Sequence, residues 1–235
     1  MENKAYDLAI SDFINGKKNI SIVVKSDLAE NDVLPVDYLA RTYDIMPELE
    51  KLAIENSAGD ILDVGAGLGA HALVMQEQNK KVTALDSSKT AVDFMLTNGI
   101  EAYHSSFLDF KSQKSFDTLL FLMNGIGIAK NLEELPDFLE HCKKIIKKSG
   151  KIILDSTDVS YFYQEDDGSM WIDLNSSYFG EFKFQMCYKN LQSDWFEWLY
   201  IDFDLLKKYA ENSGLSAKCL YTKEGAYLAE LTFKS

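Results

Sequence analysis

Residues Asp60 to Asp86 read DILDVGAGLGAHALVMQEQNKKVTALD. An apolar strand, Ile61-Leu62-Asp63-Val64, runs into a glycine turn, Gly65-Ala66-Gly67-Leu68-Gly69. A helical pattern with Leu73, Val74 and Met75 follows, then a second strand, Val82 to Leu85, that ends at Asp86. Strand, glycine turn, helix and strand make half of a doubly wound nucleotide-binding unit. Glycine lets the backbone turn sharply and brings main-chain N–H groups close to a ligand at the helix N-terminus. Asp86 falls about 20 residues beyond the turn, where an acid can accept hydrogen bonds from ribose hydroxyls.

The turn alone leaves two readings open, because Gly65, Gly67 and Ala70 also satisfy the dinucleotide pattern G-x-G-x-x-A. Asp63 separates them. A carboxylate two residues before the first glycine repels a pyrophosphate and suits a cationic ligand. The stretch LDVGAGLG, with its third glycine at Gly69, resembles motif I of the class I S-adenosylmethionine-dependent methyltransferases. The resemblance implies that S-adenosylmethionine (AdoMet) is bound and S-adenosylhomocysteine released. It implies that Asp63 holds the ligand's ammonium end, directly or through water, and that Gly65, Ala66, Gly67 and Gly69 form the turn against it. Asp86, with Ser87 beside it, falls on the ribose.

The same resemblance extends across residues 35 to 235, strongest from Asp60 to Asp86, moderate from Phe116 to Asp155 and weak elsewhere. Arg41 is the only arginine in the chain. Its fork can grip a carboxylate bidentately, as lysine cannot, and the family often places a basic residue from the preceding helix over the AdoMet carboxylate. Phe116 to Leu122 resembles the family's fourth strand. Many relatives carry an adenine-binding acid ten residues before its leading Phe. Here Ser106 stands there, with Asp109 the nearest acid and Phe107 available to pack on the ring. Leu122 and Asn124 close the strand at the cofactor. Asn124 also offers an amide to the acceptor.

The 235 residues suit one domain with a decorated core. We expect an N-terminal helical cap or lid over residues 1–56, an AdoMet-binding core over 57–155, an insertion over 156–200, and a closing helix and β-hairpin over 201–235. The expected fold is α/β and doubly wound. Its mostly parallel seven-stranded sheet has an antiparallel last strand, with a β-hairpin inserted after the fifth strand. From Pro35 the chain reads as helical, with Pro47 and Glu48 in a first turn. Leu135, Phe138, Leu139, Cys142, Ile145 and Ile146 trace an apolar helix face, and His141 lies beside it as a structural residue.

Phe182, Phe184 and Met186 alternate as in a strand, and Asp194 to Tyr200 reads as its partner. Trp171, Tyr178, Trp195 and Trp198 would line the acceptor pocket and exclude water from it. The competing reading is simple packing of the hairpin, or a dimer contact. Asp155, Asp158 and Tyr161, after the fifth strand, are the candidates for a general base, if the acceptor needs one.

Charge and composition set limits. A net charge of −13 repels phosphate backbones and argues against a nucleic-acid partner. No apolar run reaches the roughly 20 residues of a membrane helix. The N-terminus lacks the basic-then-apolar form of a signal peptide. Cys142, Cys187 and Cys219 are scattered and odd in number, which suits reduced thiols in a cytoplasmic protein. Three histidines and no Cys-x-x-Cys argue against a structural metal. The expected protein is a cytoplasmic methyltransferase, monomeric or homodimeric, acting on a small molecule. The alternatives are an NAD-dependent oxidoreductase built on the same turn, and a catalytically silent AdoMet-binding sensor.

Overall fold

The computed structural model describes residues 3–163 and 177–234. Trp171 lies outside the described residues. In chain order the elements begin with α1 (Lys4–Ile14), β1 (Ser21–Ser26), β2 (Asp32–Pro35) and α2 (Glu48–Asn56). The motif supplies β3 (Asp60–Val64), α3 (Ala70–Glu77) and β4 (Lys81–Asp86). Then come α4 (Lys89–Thr97), β5 (Glu101–His104), β6 (Phe116–Phe121), α5 (Leu135–Ile145) and β7 (Ile146–Thr157). The chain closes with β8 (Glu181–Tyr188), β9 (Leu191–Gln192), β10 (Phe196–Leu199), α6 (Phe203–Asn212), β11 (Leu215–Lys223) and β12 (Ala226–Phe233).

Seven strands form the main sheet in the order β11-β12-β7-β6-β3-β4-β5. Strands β3 to β7 run parallel, while β12 pairs antiparallel with β7 and with β11. The expected fold class therefore holds. Alternation along each strand divides the core. Leu62, Val64, Leu119 and Phe121 face α5 and α6; Ile61, Val82, Ala84 and Leu120 face α2, α3 and α4. The chain winds outward from β3 through β4 to β5, then returns to β6 on the other side of β3. That reversal puts the ligand crevice at the carboxyl ends of β3 and β6, where the glycine turn sits.

Side-chain caps mark the starts of α1, α4 and α6. Ser88 accepts a hydrogen bond from the Ala91 N–H and starts α4. Asp202 does the same for α6 through the Leu205 N–H. The turn between β11 and β12 uses Glu224 and Gly225, both at positive φ (52° and 82°), as a tight primed hairpin requires. In α5, Leu135, Phe138, Leu139, Cys142 and Ile145 are buried, and each full-sized apolar side chain contributes about 1.5–3 kcal/mol. Ile146 is not on that helix: it opens β7 opposite Phe116, so backbone pairing ends the helix one residue before the apolar pattern does.

Two further departures lie in the first 56 residues. The expected helix from Pro35 resolves into two short 3-10 turns, Val36–Ala40 and Tyr43–Ile45, before α2 begins. More consequentially, β1 and β2 do not stand alone. They join the inserted hairpin in a second, antiparallel sheet of order β10-β8-β1-β2, with β9 paired to β8. The hairpin itself pairs Phe196 with Phe184 and Trp198 with Phe182. Helix α1 packs Ala9 and Ile10 against Ile20 and Ile22, and against Leu68 of the glycine turn and Ala91 of α4. None of the described helices is long and apolar enough to cross a membrane.

Candidate active site

A cleft of about 1640 Å³ opens between the carboxyl edge of the main sheet and the second sheet. Its floor is the glycine turn. Gly65, Gly67 and Gly69 all have positive φ (72°, 56° and 81°), a conformation that side-chain-bearing residues rarely adopt. Gly65 and Gly67 line the cleft with Ala66, whereas Gly69 faces away, against Ile100 and Met95. The Gly67 N–H donates to Asp86 Oδ2 at 2.7 Å, and the Ser88 N–H to Asp86 Oδ1 at 2.7 Å. Burial pushes the Asp86 carboxyl up to about 6; the two backbone bonds pull against that, and Asp63 and Asp7 add to it.

Asp63 is 1% exposed, and its Oδ2 has no hydrogen-bond partner among the described residues. Burial raises its pKa, opposed by the charges of His71 and Arg41. A buried, unsatisfied carboxylate oxygen on a cleft wall fits a cationic ligand group, because leaving such an oxygen unpaired is costly.

Arg41 is placed at the cleft but is already engaged. Its Nη2 lies 2.6 Å from Glu50 Oε1, and its Nε donates to Glu50 Oε2 at 3.0 Å. Its Nη1 donates to the Tyr38 carbonyl at 2.7 Å. The bidentate face expected to grip a cofactor carboxylate is thus turned to Glu50. His71 Nε2 lies 3.0 Å from Glu50 Oε2 and 3.1 Å from Arg41 Nη2. Burial pushes the Glu50 carboxyl upward, yet His71 and Arg41 outweigh it and hold the group below its ordinary value. Sequence reasoning missed Glu50 and His71. Only the amphipathic phase of α2, which buries Glu50 beside Leu49 and Ala53, could have flagged the acid.

Ser87, Ser106, Phe107 and Leu122 also line the cleft. The Ser106 hydroxyl donates to Asp109 Oδ2 at 2.6 Å, so serine and acid act as one polar unit. Phe107 is largely core: it meets Phe121, Phe138 and His141 at ring distances of 5.0, 5.3 and 4.8 Å. His141 is accordingly a packing residue.

Past β6 the backbone turns through Met123 and Asn124, both at positive φ. Asp155 fastens this turn: its two carboxylate oxygens accept from the Asn124 and Gly125 N–H groups at 3.0 and 2.9 Å. Burial pushes the Asp155 carboxyl up to about 6 against those two bonds. The Asn124 amide donates to the Leu199 carbonyl at 3.0 Å. Neither Asn124 nor Asp155 lines the cleft. Asp158 is also off the wall, accepting from the Ser160 N–H, and Tyr178 donates to Asp202 at 3.0 Å instead of facing the cleft. Of the three base candidates, Tyr161 alone lies on the wall.

The opposite wall is aromatic. Trp195, Trp198, Phe182, Phe184 and Tyr200 line it. Trp198 lies so close to Gly127 that a Cβ there would come within 2.1 Å of the indole. Tyr200, also missed from sequence, packs edge-on to Phe182 at 5.1 Å, and burial pushes its hydroxyl up to about 12. Tyr6, from α1, lines the cleft beside the glycine turn; its hydroxyl lies 3.3 Å from where a Cβ on Gly67 would sit.

A doubly wound sheet with a glycine turn at its switch point, a ribose-spaced acid and an unpaired acid inside the first strand defines a nucleoside-binding α/β protein suited to a cationic ligand. Comparison with known proteins narrows the class. A family model described as a methyltransferase domain matches residues 61–150. A SAM-dependent methyltransferase from Bacteroides fragilis, solved with S-adenosyl-L-homocysteine, is 39% identical; the alignment covers 98% of this chain and 95% of that one, with a TM-score of 0.91. A cypemycin N-terminal methyltransferase from Streptomyces sp is 28% identical over 106 residues, 43% of each chain. A ubiquinone biosynthesis O-methyltransferase from Rickettsia conorii is 29% identical over 113 residues, 46% of this chain and 38% of the other. The chain thus aligns with less than half the length of these two curated relatives. It belongs to the S-adenosylmethionine-dependent methyltransferases. The oxidoreductase alternative gives way to membership of this family.

Proposed function

We propose that the chain transfers a methyl group from AdoMet to a small-molecule acceptor held beneath the second sheet. The observation that carries this reading is the continuity of the cleft, which runs from the glycine turn to the aromatic wall. Its volume of about 1640 Å³ exceeds the roughly 300–1,000 Å³ typical of a pocket for one small ligand. Two reactants fit end to end.

In this reading Asp86 accepts from the ribose hydroxyls and Asp63 Oδ2 takes the ammonium group. Ser106 with Asp109 faces the adenine, with Phe107, Leu122 and Ser87 beside it. Arg41, its fork turned to Glu50, lends positive charge to the carboxylate end. AdoMet supplies a methyl group made electrophilic by its sulfonium. The protein's own work is positioning and exclusion of water. Trp198 and Tyr200 orient the acceptor while the rings around them keep the cavity dry. Asp155 holds the turn that carries Gly125 and Gly127, so it shapes the site through the backbone. Any proton released by the acceptor leaves to solvent, with the exposed Tyr161 hydroxyl on the wall able to relay it by giving up its own proton as it takes one. The acidic surface favours a small acceptor over a nucleic acid.

The test is incubation with methyl-labelled AdoMet and a fractionated metabolite extract. Label should appear in a product of low molecular mass. Label confined to protein or RNA would overturn the small-molecule reading.

A further inference from the structure

Helix α1 touches both halves of the cleft. At its start, Asn3 caps the helix by accepting from the Tyr6 N–H at 3.1 Å. Tyr6 then lies over Gly67, and Asp7 accepts from the Ser88 hydroxyl. Ser88 is the residue whose N–H holds Asp86. The first turn of α1 is therefore linked to the wall that the reading above gives to the cofactor.

The other end of the helix reaches the second sheet. Asp12 accepts from the Tyr188 hydroxyl at 2.8 Å, from the Lys17 ammonium at 2.6 Å and from the Lys189 ammonium. Tyr188 ends β8, and Lys189 begins the turn after it. The Asn3 amide also reaches Met186 Sδ, within β8, at 3.1 Å. An acid in the last turn of a helix opposes the helix dipole, and α1 carries no basic residue in that turn. Capping does not explain Asp12. Partners on β8 and its turn do. Asp12 is 7% exposed and lies off the cleft, so neither binding nor chemistry uses it directly.

We propose that α1 is a strap that couples cofactor binding to the ordering of the aromatic wall on β8, with Asp12 as the positioning residue that latches it to that strand. The proposal rests on the cofactor reading above. A ligand against Tyr6, Asp86 and Ser88 holds the first turn of α1 in place, and the rigid helix carries that order to Tyr188 and Lys189. A cofactor-loaded enzyme then presents an ordered aromatic wall to its acceptor.

The test is amide hydrogen exchange with and without S-adenosylhomocysteine, on the wild type and on Asp12→Asn. In the wild type the ligand should slow exchange at residues 65–69 and 86–88, and by about tenfold at residues 184–188. In Asp12→Asn the first two segments should keep their protection while 184–188 lose theirs, with ligand still bound. A thermal melt checks the fold; should Asp12→Asn fail to fold, Tyr188→Phe carries the same comparison with a smaller loss. Ligand binding without protection at 184–188 in the wild type overturns the strap alone. So does full protection there in the variants. Failure of the wild type to bind S-adenosylhomocysteine overturns the cofactor reading, and the strap with it.

Discussion

The two sides of the cleft are built on different principles. The floor of the side assigned to the cofactor comes from one run, β3 to the start of α4, and much of it is backbone: Gly65 and Gly67 at positive φ, and two N–H groups directed at Asp86. The acceptor side is assembled from distant pieces. There β1 pairs with β8, Val24 opposite Met186, and the rings come from β8, β10 and the residues on either side of β10. A backbone-built site tolerates little change, because its geometry is the fold's geometry. A side-chain wall on a separate sheet can change its rings without disturbing the turn. Such a division lets one cofactor site serve many acceptors.

The sharpest way to break this comparison is at Glu50, which supports the cofactor side from below. Arg41 and Glu50 are 3% and 5% exposed. Glu50→Ala leaves a buried guanidinium without its partner, and breaking such a pair costs about 3–5 kcal/mol. Urea denaturation should show that loss. A loss under about 1 kcal/mol would mean that water or the Tyr38 carbonyl satisfies Arg41 unaided. Next in size is Asp86→Ala. Hydrogen bonds to a charged group are worth about 1.5–3 kcal/mol, so calorimetry should show AdoMet binding weakened by roughly ten- to a hundredfold. Unchanged affinity in a folded variant would remove Asp86 from the ribose.

This asymmetry also governs what could be read from the sequence. The strand, glycine turn and second strand were legible because they are adjacent in the chain and glycine spacing has few meanings. The inserted hairpin was legible from the alternation of Phe182, Phe184 and Met186. Its union with β1 was not, since pairing across so long a separation leaves no local pattern. A helical N-terminus was expected, but α1 itself was not delimited, although Asn3 is a good cap and Ala5, Ala9 and Ile10 share a face. The quartet of Asp63, Arg41, Glu50 and His71 was half visible: motif and rarity drew attention to the first two, while Glu50 and His71 look like ordinary helix residues until tertiary packing buries them. Asp155 was noticed for its place at a strand end, but only the structure reveals that both its oxygens are taken by backbone.

A third variant tests the other side. Gly127→Ala places a methyl where the Trp198 indole lies, at 2.1 Å in the undisturbed geometry. The ring must move, at a cost of about 1–3 kcal/mol in stability. If Trp198 orients the acceptor, labelled methyl transfer should fall steeply while S-adenosylhomocysteine affinity stays within about twofold. Gly127 lies outside the glycine turn proposed to hold the cofactor, so a large loss of ligand affinity would show that the two sides are not separable.

The smallest expected effect is a pH dependence confined to the cofactor side. Asp86 in the free protein has its pKa raised to about 6, above the ordinary carboxylate value, with burial as the leading cause. Ribose hydroxyls donate to the carboxylate, so binding favours the ionised form. Below pH of about 6 the ligand must first displace a proton, and the dissociation constant should rise towards tenfold per pH unit, about 1.4 kcal/mol each. The unliganded fold responds with the opposite sign. A raised folded-state pKa means that this group's contribution to stability is fully present below the unfolded value and is lost as pH rises through about 6. Acid should therefore weaken ligand binding while removing the penalty that the buried charge imposes on the fold. Asp155, also raised to about 6, contributes to the second trend but, lying off the cleft, not to the first. Asp86→Asn should flatten most of the pH profile of S-adenosylhomocysteine affinity between pH 5 and 7, measured by calorimetry, and leave a remainder from Asp63. The same substitution at Asp155 should leave that profile as it is. A binding profile that responds to Asp155 and not to Asp86 would place the titrating group on the turn after β6, and would assign the ribose contact to a residue other than Asp86.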